Sequence, residues 1–108
     1  MNDSLHAYQF EVVFPIGYDD RGKYEAEERG ALYDVRVLVG DKVYCLSFVT
    51  LSRAQVDLEF QIINEGEKYL ADPGLILMPI IREKEVFEVV EALVKSRFFE
   101  KLVPDSVP

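Results

Sequence analysis

The chain has no tryptophan, one cysteine, one histidine, and only 12 basic residues against 20 acidic ones over 108 positions. Each shortage excludes something. With Cys45 alone there is no intrachain disulfide and no disulfide framework of the secreted kind. A solitary imidazole, His6, cannot anchor a metal constellation beyond scattered carboxylates, so no metal site and no cofactor are expected. The formal net charge of -8, with a sequence pI near 4.6, sets the chain against nucleic acid, whose phosphates carry the same sign. A basic protein is the charge-compatible partner. No apolar run approaches membrane-spanning length, and no basic segment leading into an apolar one opens the chain, so the expectation is no membrane and a cytoplasmic location. Nucleophile elbow, P-loop, dinucleotide-binding and zinc-helix patterns are all missing, and no catalytic residue is assigned.

What is present is a core. Hydrophobic residues make up 49% of the chain, with 7 Phe and 6 Tyr, enough for one domain over residues 1–108. That core is expected to form around Tyr33 to Thr50, where two β-branched alternating runs flank Gly40-Asp41, the chemistry of a tight hairpin turn. A two-residue turn pairs Val39 with Lys42, Val37 with Tyr44, Val35 with Leu46 and Tyr33 with Phe48. Tyr33, Val35 and Val37 then form an apolar face, with Asp34, Arg36, Cys45 and Ser47 on a partly wet reverse.

Upstream, Tyr8 to Phe14 alternates as a half-buried strand that Pro15 and Gly17 end. Residues 15–30 read as a long surface loop, or as a small extra hairpin around Arg21-Gly22. Downstream, Leu51 to Gly66 carries two competing patterns. Val56, Leu58, Phe60 and Ile62 alternate like a strand, but Ser52 with Gln55 at capping-box spacing and Gly66 at a C′ position predict a helix. As a helix it has two apolar stripes, Val56/Phe60/Ile63 for the sheet and Leu58/Ile62 left over. Asp72-Pro73-Gly74 is a turn, and the unbroken run Leu75 to Met78 suggests a strand buried on both faces near mid-sheet. The last helix spans about Glu83 to Ser96 with Val86, Phe87, Val90, Leu93 and Val94 as its stripe; Phe98, Phe99, Leu102 and Val103 dock separately, and 104–108 fray. The fold class is therefore α+β: a single two-layer domain with a mainly antiparallel sheet of about four strands and two helices.

Two features could carry chemistry. Cys45 has only Arg36 as its expected cross-strand neighbour and reads as a packed thiol, while Asp19, Asp20 and Gly22 lack the later carboxylate of a calcium loop. The acidic surplus lies elsewhere: Asp57, Glu59, Glu65, Glu67 and Asp72 face only Lys68, beside the spare Leu58/Ile62 stripe. Apolar anchors rimmed by carboxylates suit a basic partner, so Asp57, Leu58, Glu59, Ile62, Glu65 and Glu67 are the expected partner-binding residues.

In Asp34 to Tyr44, the Ser52 to Gly66 helix, Asp72 to Pro79 and the Glu85 to Phe99 helix, the chain resembles small bacterial proteins of unassigned activity. In size and charge alone it is also similar to immunity proteins that neutralise toxins. The acidic helix region with its spare apolar stripe predicts a non-catalytic, acidic protein-binding module, an inhibitor of the immunity type acting on a basic partner. Alternatives are a homodimeric accessory protein using the same stripe, and a small-ligand domain or enzyme using the Asp34/Arg36/Ser47 face.

Overall fold

A hairpin turning at Gly40-Asp41 lies at the centre of the computed structural model, which describes residues 9–104. Strands β2 (Ala31–Val39) and β3 (Lys42–Val49) pair antiparallel in the expected register from Val39↔Lys42 to Val35↔Leu46. Beyond Val35 the register changes. Leu32, not Tyr33, faces Phe48, because Tyr33-Asp34 form a bulge with Asp34 at a φ of 61°. Aspartate tolerates this left-handed conformation better than most residues, and the extra residue swaps the faces. Leu32 enters the core while Tyr33 is only half-buried.

Strand β1 (Phe10–Val13) pairs antiparallel with β2; Tyr8, the expected start of that strand, lies outside the described residues. Strand β4 (Leu75–Leu77) pairs parallel with β3, so the sheet is mixed, with order β1-β2-β3-β4. This corrects the mid-sheet expectation, for β4 is an edge strand and Leu77 is 56% exposed. Pro73 and Pro79 flank it, and proline is tolerated at an edge where a central strand would lose a ladder bond. Two apolar residues after β4 reach the interior instead, Met78 and Ile81.

The 15–30 segment is also corrected, since it holds helix α1 (Asp20–Arg29). Asp19 caps it, its Oδ1 accepting from the Gly22 N–H at 2.9 Å, and Gly30 closes it at a φ of 74°. Gly22 sits inside the helix because a Cβ there would collide with the Gly17 carbonyl oxygen. Ala26 alone of α1 is buried, which is why no apolar period announced it.

Helix α2 (Leu51–Phe60) continues into a π-helical turn at Gln61–Glu65, so the helix expected over 52–65 is present. Helix α3 (Glu83–Lys95) buries Val86, Val90 and Val94 against Val35, Val37, Tyr44, Leu46 and Phe48. Each full valine burial contributes roughly 1.5–3 kcal/mol. The helix stops at Ser96, as expected, and Arg97 at a φ of 64° turns the chain so that Phe99 packs 4.9 Å from the Tyr44 ring. Val103 does not dock but stays exposed. Among the described residues three α-helices and a mostly antiparallel sheet thus form one α+β domain measuring 50 × 30 × 27 Å.

Candidate functional site

Helix α2 starts where β3 ends. Thr50 caps it, its hydroxyl accepting from the Arg53 N–H at 3.2 Å, so the capping residue is Thr50 and not the expected Ser52. Gly66, at a φ of 73°, closes the π turn with its N–H on the Gln61 carbonyl. Two side chains brace that turn: Asn64 Nδ2 donates to the Phe60 carbonyl at 3.1 Å, and Gln61 Nε2 donates to Glu67 Oε1 at 2.6 Å.

The orientation of α2 is unusual for its composition. Its sheltered side is partly polar, with Arg53, Ala54, Asp57, Leu58 and Gln61 half-buried. Arg53 Nε donates to Asp57 Oδ1 at 3.1 Å, and the Tyr33 hydroxyl donates to Asp57 Oδ2 at 2.8 Å. The Arg53 and Asp57 side chains keep 32% and 24% of their surface in water. Burial, and secondarily the bond to Asp57, hold the Tyr33 hydroxyl above its ordinary value of 10.0. The bulge makes this tie possible, because it releases Tyr33 from the core face.

The outward side is greasy. Leu51 is 74% exposed, Phe60 58% and Ile63 79%, with Val56 and Ile62 exposed beside them. No residue of α2 or of its π turn is buried. The stripe expected to rest on the sheet, Val56/Phe60/Ile63, faces solvent, and the Arg53-Asp57 pair occupies the sheltered side in its place. A hollow of about 450 Å³ lined by Leu51, Leu77, Met78 and Pro79 carries the apolar surface on to β4.

Of the expected partner-binding residues, Glu59, Ile62, Glu65 and Glu67 are exposed. Leu58 is half-buried, and Asp57 is held within the chain by Arg53 and Tyr33. Leu51, Val56, Phe60 and Ile63 were not on that list. Val56, Phe60 and Ile63 were legible as the stripe assigned to the sheet, and Leu51 belonged to neither stripe; which stripe turned outward depended on Tyr33, which the simple register put on the core face. With Asp57 answered by Arg53, the acidic surplus near the stripe falls to Glu59, Glu65, Glu67 and Asp72 against Lys68.

A shallow depression of about 290 Å³ lies at the reverse face, lined by Asp34, Cys45, Ser47, Asp72 and Gly74 among others. Arg36 does not line it. Cys45 Sγ donates to Asp34 Oδ1 at 4.0 Å, placing a thiol and a hydroxyl beside carboxylates. His6 lies outside the described residues, among which no group of three or more His, Cys, Asp or Glu could hold a metal ion. No helix among them is long and apolar enough to cross a membrane.

Fold and surface together define an α+β domain that leaves one apolar helix face open. Comparison of the chain with family models, with curated proteins and with solved structures finds no match, so the likenesses read from the sequence gain nothing from it.

Proposed function

We propose that this chain is a non-catalytic protein-binding module whose docking element is the outward face of α2. The observation that carries the reading is that α2 buries no residue while it turns Leu51, Val56, Phe60, Ile62 and Ile63 to solvent. A free-standing domain gains nothing from that arrangement, since each such side chain is worth roughly 1.5–3 kcal/mol when covered. Burial under a partner supplies affinity, and the uncompensated carboxylates Glu59, Glu65 and Glu67 at the rim select a surface of positive potential. An inhibitor of the immunity type, acting in the bacterial cytoplasm where a lone thiol stays reduced, works in this way.

The test is retention of proteins by the immobilised chain across ionic strength, beside a Phe60→Asp/Ile63→Asp variant. Retention that weakens with salt and is lost in the variant supports the reading. Equal retention by both chains sinks it. Asp57→Lys is a poor probe, because it breaks the internal bonds to Arg53 and Tyr33.

A further inference from the structure

We infer that helix α1 is a strap held down by ion pairs, which lifts from the body as a unit while the sheet and α3 stay folded. Nothing in this device draws on the outward face of α2.

The grip of α1 on the core is slight. Ala26 is its one buried residue, Gly22 and Glu27 are half-buried, and the rest of the helix faces water. A single buried methyl group fastens little. A helix of 10 residues with a glycine inside it is also too short to keep its shape alone in water.

What fixes α1 is a pair of ionic contacts to the start of α3. Lys23 Nζ lies 2.8 Å from Glu83 Oε1, and Arg82 Nε donates to Glu27 Oε2 at 2.9 Å. The four side chains keep between 38% and 54% of their surface in water, so dissolved salt screens both pairs. Helix α3 is held differently, through the burial of Val86, Val90 and Val94, which salt does not screen. The two ends of the strap also differ. Gly17, before α1, stands at a φ of 89° with nothing within 4 Å of the place a Cβ would take, and serves as the pivot. Gly30, after it, is moored, its carbonyl accepting from the Thr50 N–H at 2.9 Å.

The latch borders a hollow of about 540 Å³ beside α3, where Phe14 and Glu83 form part of the wall with Phe87, Glu88 and Glu91. Tyr18 stacks on Phe14 with ring centroids 4.6 Å apart, and Lys23 Nζ sits 5.9 Å from the centre of the Tyr18 ring. Lifting α1 withdraws Lys23 from Glu83 and from Tyr18 together. The strap thereby loosens the hollow at its Phe14 end.

Amide exchange of the full chain, read by mass spectrometry in dilute buffer and in about 0.5 M sodium chloride, tests the device. Residues 20–29 should exchange at least about tenfold faster than the buried turns of α3, and salt should quicken them roughly threefold further while α3 does not follow. Lys23→Glu should quicken α1 in dilute buffer and shrink the salt effect. The reversed pair, Lys23→Glu with Glu83→Lys, should return α1 towards the parent rate. Since the chain has no tryptophan, Phe14→Trp supplies a single reporter at the hollow, with α3 protection as the check that this variant is folded. Its quenching by acrylamide, a neutral molecule, should rise with salt in step with α1 exchange.

An α1 that exchanges as slowly as α3 overturns the strap, because the two helices would then open only together. Exchange indifferent to salt, or a reversed pair that leaves α1 as fast as Lys23→Glu does, overturns the ionic latch. Quenching that stays level while α1 quickens overturns the link to the hollow.

Discussion

Helices α2 and α3 are both amphipathic, both follow a turn out of the sheet, and they meet opposite fates. Helix α3 buries Val86, Val90 and Val94 and holds Glu83 and Glu85 in its first turn with Lys95 in its last, complementing the helix dipole at both ends. Helix α2 buries nothing, has no acid in its first turn and no base in its last. It is fastened by a polar tie, Asp57 between Tyr33 and Arg53. The difference teaches that an apolar stripe marks a face that needs covering, and leaves open which neighbour covers it. In α3 the domain does so; in α2 the stripe stays in solvent, the face proposed above for docking.

The largest expected effect contrasts the two stripes directly. Val90→Asp puts a charge into the closed core and should cost about 4 kcal/mol or more, unfolding the domain, whereas Phe60→Asp in dilute solution should change stability by no more than about 0.5 kcal/mol. Urea titration of both variants at low concentration checks this. Comparable losses would mean that Phe60 supports the single chain, and the contrast would fail.

A smaller effect should come from the tie itself. Asp57→Ala leaves the Tyr33 hydroxyl and the Arg53 guanidinium without their shared acceptor, at a cost on the order of 1 kcal/mol. The loss should be local. Amide exchange in α2 should quicken while α3 keeps its protection, and an equal change in both helices would show that α2 is held by other means.

The smallest effect is a pH dependence. Tyr33 keeps its proton to higher pH in the folded chain than its ordinary value of 10.0, chiefly through burial and then through Asp57. The stability linked to that proton is whole below about pH 10 and is lost as pH rises through the folded-state value. Absorbance titration of the tyrosines, with melting temperature followed in parallel, should show two late-titrating groups, Tyr18, held up by burial and then by Glu83, and Tyr33. Asp57→Asn should bring the Tyr33 group down towards the ordinary range and leave Tyr18 where it is. An unmoved titration would separate Tyr33 from Asp57 and weaken the account of how α2 is anchored.

Much of the fold was legible in local patterns. Gly40-Asp41 and the alternation around it placed the hairpin and its register as far as Val35, and Gly66 marked the end of the α2 region. The stop at Ser96 could also be read, because Arg97 would otherwise have entered the apolar stripe of α3. Helix α1 was missed because only Ala26 is buried in it, although Asp19 and Gly30 stand at capping distance. The run from Leu75 to Met78 was read as central from its apolarity, when only its last residue, Met78, and Ile81 beyond it reach the core and Leu77 stays outside. At the candidate site the patterns revealed two stripes and a cluster of carboxylates. They could not reveal that Asp57 turns inward, because its partner Tyr33 is reoriented by a bulge at Asp34.

Short-range chemistry by itself determined where the central hairpin turns, where the helices after residues 51 and 83 end, and that the chain carries more apolar helix surface than one small sheet covers. Such preferences act over a few residues and survive any arrangement of the elements. Only the tertiary structure decided which side of α2 faces the body. That choice follows from one inserted residue in β2, which moves a tyrosine across the sheet and within hydrogen-bonding reach of an aspartate 24 positions away.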